Sequence, residues 1–358
     1  MLVVLGHAGT VLWPAIVAGE QGPYGVPVLR GLFGGGAVII FFVVGAFIVA
    51  LGLLREHDRA VLDPARFLLR RLVRLGAQLL LLAAALVVVQ VVDSTAPGTM
   101  RGLVQNLAHM LTFTLNLLPL DPAVPPRADV GHLWYLSVQQ QCYLVLPLFV
   151  IAFARRRVVG ALVLAALIVA VYVHRVEVTD ERGWVLASIL TTTRSDGLFW
   201  GVLLALALPL LARVRRWSVP LALGALGVLA CQLVIQELPP LSYLGPWSLV
   251  YQWFIGVLVV SIWLQERATL VSRALALSPL TWLGRNSLTI YFWHLPVFFV
   301  VARHLGSQPW WLGGAASLAV LGVLVVVLEQ VLEQPTRRLL ATHPLFRGRA
   351  ARSPGGQA

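Results

Sequence analysis

The chain has 358 residues, 59% of them hydrophobic and only 12% charged, with a formal net charge of +12 and a mean hydropathy of +0.84. Soluble domains average about 45–50% apolar and about 25% charged residues, so a soluble globular fold is excluded. The positive charge does not argue for nucleic acid, because most of the arginines flank apolar runs, where basic residues act as topology signals in a bilayer.

Runs long enough to cross the hydrocarbon core, which takes about 20 apolar residues, lie at 2–18, 33–54, 72–92, 133–153, 158–175, 185–211, 218–236, 248–265, 280–301 and 311–332. They predict an all-α polytopic membrane protein of about ten transmembrane helices. The first run has no basic residue before it, so it does not read as a cleavable signal, and the true start is expected to lie upstream. A further run, 103–120, carries Asn106, His109, Asn116 and Pro119 and reads as interfacial or re-entrant. The positive-inside rule decides this point. With 103–120 not spanning and both ends cytoplasmic, the basic loops all fall inside: Arg55 to Arg74, Arg155–Arg157, Arg213–Arg216, Arg267 with Arg273, and the tail. The outer loops, such as 177–182, are then poor in basic residues, whereas a spanning 103–120 would put Arg155–Arg157 outside.

Trp13, Tyr24, Trp134, Tyr135, Tyr243, Trp247, Trp310 and Trp311 near run ends suit interfacial aromatic belts. Cys142 and Cys231 both stand in apolar runs and read as unpaired thiols. There is no obvious internal repeat of the kind transporters use. Residues 1–340 read as one transmembrane domain. Residues 341–358, with Arg347, Arg349 and Arg352 before Pro354, Gly355 and Gly356, read as a basic cytoplasmic tail that is disordered.

Ionisable groups inside a bilayer are costly, and each one in a span is a functional hypothesis. His7 stands in the first run between Gly6 and Gly9, which leave the backbone beside it open to a neighbour or a ligand. An imidazole there can take a proton from a hydroxyl or act as a nucleophile; packing between helices is the bland alternative. The stretch from His132 to Tyr143 puts His132, Gln139 and Tyr143 on one side of a helix, with Tyr135 close by. Such a stripe faces protein or a water-filled cavity rather than lipid.

Arg194 and Asp196, in the run 185–211, read either as a local buried ion pair or as a substrate contact. Arg70, Arg71 and Arg74, at the cytoplasmic entry of the third run, serve as topology signals or as a seat for the phosphates of a nucleotide-bearing donor. His294 sits beside Pro296, where a kink can be purely structural, and Glu333 beside Pro335 reads as a membrane-edge anchor. The sequence holds no Walker-type loop, no metal-ligand cluster, no Gly-x-Ser-x-Gly elbow and no dinucleotide fingerprint.

Taken in order, these segments resemble the acyltransferase-3 family of membrane acyltransferases. The residues that carry the resemblance are His7, Phe41–Phe47, Arg70-Arg71-Leu-Val-Arg74, His132 to Tyr143, Arg194-Ser-Asp196, Leu283 to Ser287, Tyr291-Phe-Trp-His294-Leu-Pro296 and Glu333-Gln-Pro335. Three departures from the family pattern stand out. The Arg or Lys some ten residues before the first-helix histidine is missing, Gln139 replaces a glutamate, and Gly45-Ala46 replaces Ser-Gly.

The resemblance implies transfer of an acyl group, acetyl from acetyl-coenzyme A, to a hydroxyl of a cell-envelope carbohydrate, a lipid or a small natural product. It implies no bound cofactor, since acyl-coenzyme A is a donor substrate, and it makes His7 the catalytic histidine. Arg70, Arg71, Arg74, His132, Gln139, Tyr143, Arg194, Asp196 and His294 are the expected substrate or donor contacts. A composition rich in Ala, Val, Leu, Gly and Arg points to a high-GC bacterium and its inner membrane. The rival reading is a non-enzymatic transporter of a lipid-linked sugar, or an impaired homologue, which the missing basic residue and Gln139 favour.

Overall fold

The computed structural model describes residues 2–12, 36–235, 244–265, 269–306 and 308–346, and among these every regular element is helical. The longer helices are α1 (Leu2–Leu12), α2 (Gly36–Asp58), α3 (Pro64–Val92), α4 (Met100–Leu111), α5 (Trp134–Phe153) and α6 (Arg157–Arg182). They continue with α7 (Asp196–Leu211), α8 (Ser218–Ile235), α9 (Trp247–Trp263), α10 (Ser287–Leu305), α11 (Trp310–Leu328) and α12 (Gln334–Thr342). Seven helical stretches among the described residues are long and apolar enough to cross a membrane: Ala37–Asp58, Pro64–Val92, Ala128–Phe153, Arg157–Arg182, Asp196–Cys231, Ser287–Leu305 and Trp311–Thr342. The Asp196–Cys231 stretch joins α7 to α8 through the 3-10 turn Ala212–Trp217, while the apolar stretches Val3–Leu12 and Trp247–Trp263 are shorter. The chain is a multi-pass membrane protein.

Local chemistry explains where helices depart from the apolar runs. The third begins well before residue 72, because Asp63 caps it by accepting the Arg66 N–H and Pro64 presets its first turn. Arg66, Arg70, Arg71 and Arg74 therefore all lie within a helix. The run expected to end at 175 continues to Arg182, where Gly183 at φ +85° stops it. The run 185–211 is broken. Extended backbone at Leu190 separates Trp184–Ile189 from Thr191–Arg194, and α7 starts only at Asp196.

The run 280–301 divides into a short helix, Ser278–Arg285, and α10. The last run divides at a π-turn, Glu329–Glu333. At 12 residues, α4 rises about 18 Å, too little for a hydrocarbon core of about 30 Å. A 3-10 turn, Leu115–Leu120, follows it. Residues 13–18 and 33–35 of the first two runs, Trp13, Tyr24, Tyr243, Arg267 and the part of the tail from Arg347 onward lie outside the described residues, while residues 341–346 of the tail complete a helix and a turn that buries Phe346.

The tightest helix contact joins α7 to α2. A Cβ on Gly201 would stand 2.4 Å from the Val43 carbonyl oxygen and 2.7 Å from the Phe47 nitrogen, so the two backbones touch. Small residues permit this approach where lipid supplies no hydrophobic drive.

The arginine-rich loops meet at one end of the bundle. There Arg157 reaches Asp58 at 3.6 Å, Arg66 reaches Glu56 at 3.9 Å, and Arg337 donates to the Arg285 carbonyl at 3.0 Å. Arg70 donates to the carbonyl of buried Phe346 at 3.3 Å. At the other end Asp93, just past α3, takes Arg303 from α10 at 2.9 Å, and Arg127 bridges Asp129 and Gln90.

Candidate active site

Two helices and a turn bring a histidine each to one point inside the bundle: His7 from α1, His294 from α10, and His132 from the turn before α5. The His7 and His294 rings stack at 5.1 Å with planes 4° apart, and His132 stands edge-on to His294 at 4.8 Å. His294 is fully buried and His132 nearly so, whereas His7 is half-buried.

The hydrogen bonds fix which nitrogens carry protons. Nδ1 of His294 faces only carbonyls, those of Tyr291 at 2.8 Å and Ile290 at 3.2 Å, so it must be the donor. In the neutral ring Nε2 of His294 is then an acceptor, and Nδ1 of His7, 2.8 Å away, must donate to it. The lone pair of His7 is left on Nε2.

Tyr291 organises the cluster. Its carbonyl accepts from His294 and also from His132 Nε2 at 2.8 Å, and its hydroxyl donates back to the His132 carbonyl. Pro296 lies one turn on and offers no N–H to the Phe292 carbonyl, which loosens the helical ladder where these side-chain donors enter. The proline beside His294 thus belongs to the site's geometry.

A second group follows α5 toward the arginine-rich end. Gln139 donates to the Tyr135 hydroxyl at 3.0 Å, and the Tyr135 ring lies 5.7 Å from the Tyr291 ring, linking the two groups. Arg71 donates to Gln140 at 3.2 Å and lays its guanidinium 4.1 Å from the Tyr143 ring centroid. The Gly45 backbone closes this layer, for a Cβ there would stand 3.2 Å from Gln139 Nε2 and 3.5 Å from the Tyr143 hydroxyl. Of the three expected donor arginines only Arg71 is half-buried; Arg70 and Arg74 are exposed.

Arg194 and Asp196 lie in a separate polar knot. Asp196 takes Arg175 of α6 at 2.7 Å and Gln252 of α9 at 2.6 Å. Arg175, completely buried, also donates to the Thr193 and Leu244 carbonyls and to Ser248. Arg194 is buried too, with its guanidinium 6.0 Å over the Trp134 ring.

Sequence reasoning missed Arg175, and it missed Gln78. Gln78, fully buried on α3, donates to Thr289 at 3.0 Å and Glu333 at 2.9 Å and accepts from the Trp293 indole at 3.2 Å. It anchors the residue next to His294. An amide near the middle of the apolar run 72–92 was the available signal. Among the described residues no group of three His, Cys, Asp or Glu side chains could hold a metal ion.

A family model described as an acyltransferase domain matches residues 1–329. The chain belongs to the acyltransferase-3 family. Among relatives, it is similar to the Bacillus subtilis protein YrhL, provisionally named a peptidoglycan O-acetyltransferase, at 27% identity over 84% of this chain and 50% of that one. It is 23% identical to the peptidoglycan O-acetyltransferase OatA of Listeria monocytogenes over 84% of this chain and 51% of that one. The O-acetyltransferase OatA of Staphylococcus aureus is 21% identical over 75% of this chain and 47% of its own length. The chain spans about half the length of these curated relatives. No solved structure matches it.

In this acyltransferase-3 chain the residues in the place of the usual glutamate and Ser-Gly touch each other. Gln139 sits against Gly45, and its amide N–H donates to Tyr135, a bond that a carboxylate could keep only by accepting from the hydroxyl. The histidine cluster leaves lone pairs on two nitrogens: His132 Nδ1, buried and without a hydrogen-bond partner among the described residues, and His7 Nε2, on a half-buried ring held by a neutral histidine that is in turn held by a backbone carbonyl. This is the arrangement that general-base or nucleophilic catalysis requires of its base and orienting partner.

Proposed function

We propose that this protein is a membrane O-acyltransferase that moves an acyl group, acetyl from acetyl-coenzyme A, to a hydroxyl of a cell-envelope carbohydrate. The observation that carries this reading is the chain of donors from His7 Nδ1 to His294 to the Tyr291 carbonyl, which leaves His7 Nε2 as an oriented base. His7 Nε2 accepts the hydroxyl proton as the acceptor oxygen bonds to the thioester carbonyl carbon. The carbon–sulfur bond then breaks, and the thiolate of coenzyme A recovers the proton. Transient acyl transfer to the same nitrogen is the covalent variant of this step.

The donor enters from the arginine-rich end. That end is cytoplasmic by the positive-inside rule, with both termini there and ten crossings made by α1–α3 and α5–α11. Exposed Arg70 and Arg74 receive the phosphates, and Arg71 stands where the pantetheine arm passes inward beside Tyr143. His132, Gln139 and Tyr143 line the path to the base, while Arg194 and Asp196 hold α6, α7 and α9 in register. The O-acetyltransferase relatives support a glycan acceptor in the envelope of a bacterium, with the protein in its plasma membrane.

The test is coenzyme A release from acetyl-coenzyme A by membranes carrying the protein, with envelope glycan as acceptor and His7→Ala beside it. Acceptor-dependent release that falls by about 10²–10⁴-fold in His7→Ala is expected. Equal release from both proteins would remove His7 from the mechanism, and no release from folded, inserted protein would refute acetyl-coenzyme A as donor.

A further inference from the structure

Away from the histidines, α7, the turn after it, the start of α8, and α9 enclose a lateral cleft of about 140 Å³ whose lining includes Trp200, Leu204, Val214, Leu221, Trp253 and Val257. Its lining is almost wholly apolar, and its floor is closed at Gly256, where a Cβ would press to 2.9 Å of a Leu204 methyl. Its length and its rim both indicate an occupant. From Trp200 to Leu211 the cleft follows twelve residues of α7, a rise of about 16 Å. One leaflet of a hydrocarbon core is about 15 Å deep.

The cleft's end at Val214 lies on the 3-10 turn Ala212–Trp217, whose exposed Arg213 and Arg216 flank it. Arg55 of the arginine-rich end lies 5.7 Å over the ring of Trp263 at the end of α9, and the next residue, Leu264, lines the cleft together with Val214; the apolar slot therefore runs from that surface toward mid-membrane. Basic pockets between helices on the cytoplasmic side suit phospholipid phosphates.

We propose that this cleft is a binding site for one anionic phospholipid of the surrounding bilayer, with an acyl chain in the slot and its phosphate against Arg213 and Arg216. Neither the histidine cluster nor Arg70, Arg71 and Arg74 takes part, so the proposal stands independently of the acyl-transfer reading.

The experiment reconstitutes the whole protein in phosphatidylcholine bilayers containing a minority of phosphatidylglycerol, extracts it gently, and counts retained lipids by native mass spectrometry. One retained phosphatidylglycerol is expected, preferred over phosphatidylcholine by about thirtyfold, or about fivefold per arginine. Replacing both Arg213 and Arg216 by Gln should abolish the preference, and Val257→Trp, which fills the slot, should abolish retention itself. Equal retention of the two lipids overturns the proposal. Retention untouched by Val257→Trp also overturns it, because the headgroup would then bind without the chain. Should Val257→Trp fail to fold, brominated-chain phosphatidylglycerol decides instead. Quenching assigned to Trp253, by difference from Trp253→Phe, must exceed that from brominated phosphatidylcholine at the same fraction, and equal quenching refutes the site.

Discussion

His294 touches His7 and two backbone carbonyls, so its replacement separates orientation of the base from the base itself. In His294→Ala, His7 Nδ1 loses its hydrogen-bond partner, and the stacked ring that limits rotation of His7 is gone. One neutral hydrogen bond is worth about 1 kcal/mol, or about fivefold in rate if spent wholly on orientation. Freedom of the tautomer adds to that loss, and the ceiling is the about 10²–10⁴-fold that a general base contributes in all. The expected result is a kcat lower by about 5- to 100-fold with KM little changed. His294→Gln should recover much of it, because the amide N–H₂ can donate to Tyr291 while the amide oxygen accepts from His7. His7→Ala combined with His294→Ala should be no slower than His7→Ala alone. The assay is initial-rate coenzyme A release at saturating donor. An unchanged kcat in His294→Ala, a Gln variant no better than Ala, or a further loss in the double variant would each refute the relay.

Three other outcomes follow from the packing. Asp196→Ala strands a fully buried Arg175 and should cost about 3–5 kcal/mol of stability in detergent, part of which Arg175→Met should restore in the double variant; a melt no lower than wild type refutes the pairing. Gly201→Ala drives a methyl into the α2 backbone at Val43 and Phe47 and should destabilise by about 1–3 kcal/mol, read as a lowered melting temperature. The Thr95 hydroxyl first, and then Arg303, hold the Asp93 carboxyl well below the usual carboxylate range. The sign for such a depressed group is that its stabilisation is full above the ordinary carboxylate value of about 4 and fades as pH falls below it. Asp93 also meets the His304 ring at 3.2 Å, so the window that tests the carboxyl is the acid one: the melting difference between wild type and Asp93→Asn should narrow from about pH 5 toward pH 3, and a difference that widens over that range contradicts the Asp93 clip.

What could be read from the sequence and what could not divide along physical lines. Helical class and the approximate places of the helices follow from apolar runs, because a bilayer-spanning helix is a one-dimensional signal of about 20 residues. Breaks inside a run leave a shorter signal. In 185–211 the polar stretch Thr191-Thr192-Thr193-Arg194-Ser195-Asp196 marks where the run is interrupted, whereas Leu190 is an ordinary residue, and its extended backbone is set by tertiary packing. His7, His132 and His294 each stood out as an ionisable group in an apolar setting, but their convergence depends on how α1, α5 and α10 pack. The partner of Asp196 was hidden for a different reason. Arg175 lies near the expected end of its run, where an arginine reads as a boundary marker, and the helix instead carries it inside. Gln78 was overlooked because an uncharged amide in an apolar helix is easily passed over until its partners, Thr289, Trp293 and Glu333, are known.

The contact between His7 and His294 joins residues 287 positions apart. A ribosome delivers α1 to the membrane first and α10 only when most of the chain has been made, so His7 waits through nearly the whole of synthesis without the ring that orients it. A chain interrupted anywhere before α10 would insert helices, bury apolar surface and still possess no oriented base. With His7 in its proposed role, reactivity would be tied to the completion of biogenesis, and incomplete proteins left in the membrane would be chemically silent.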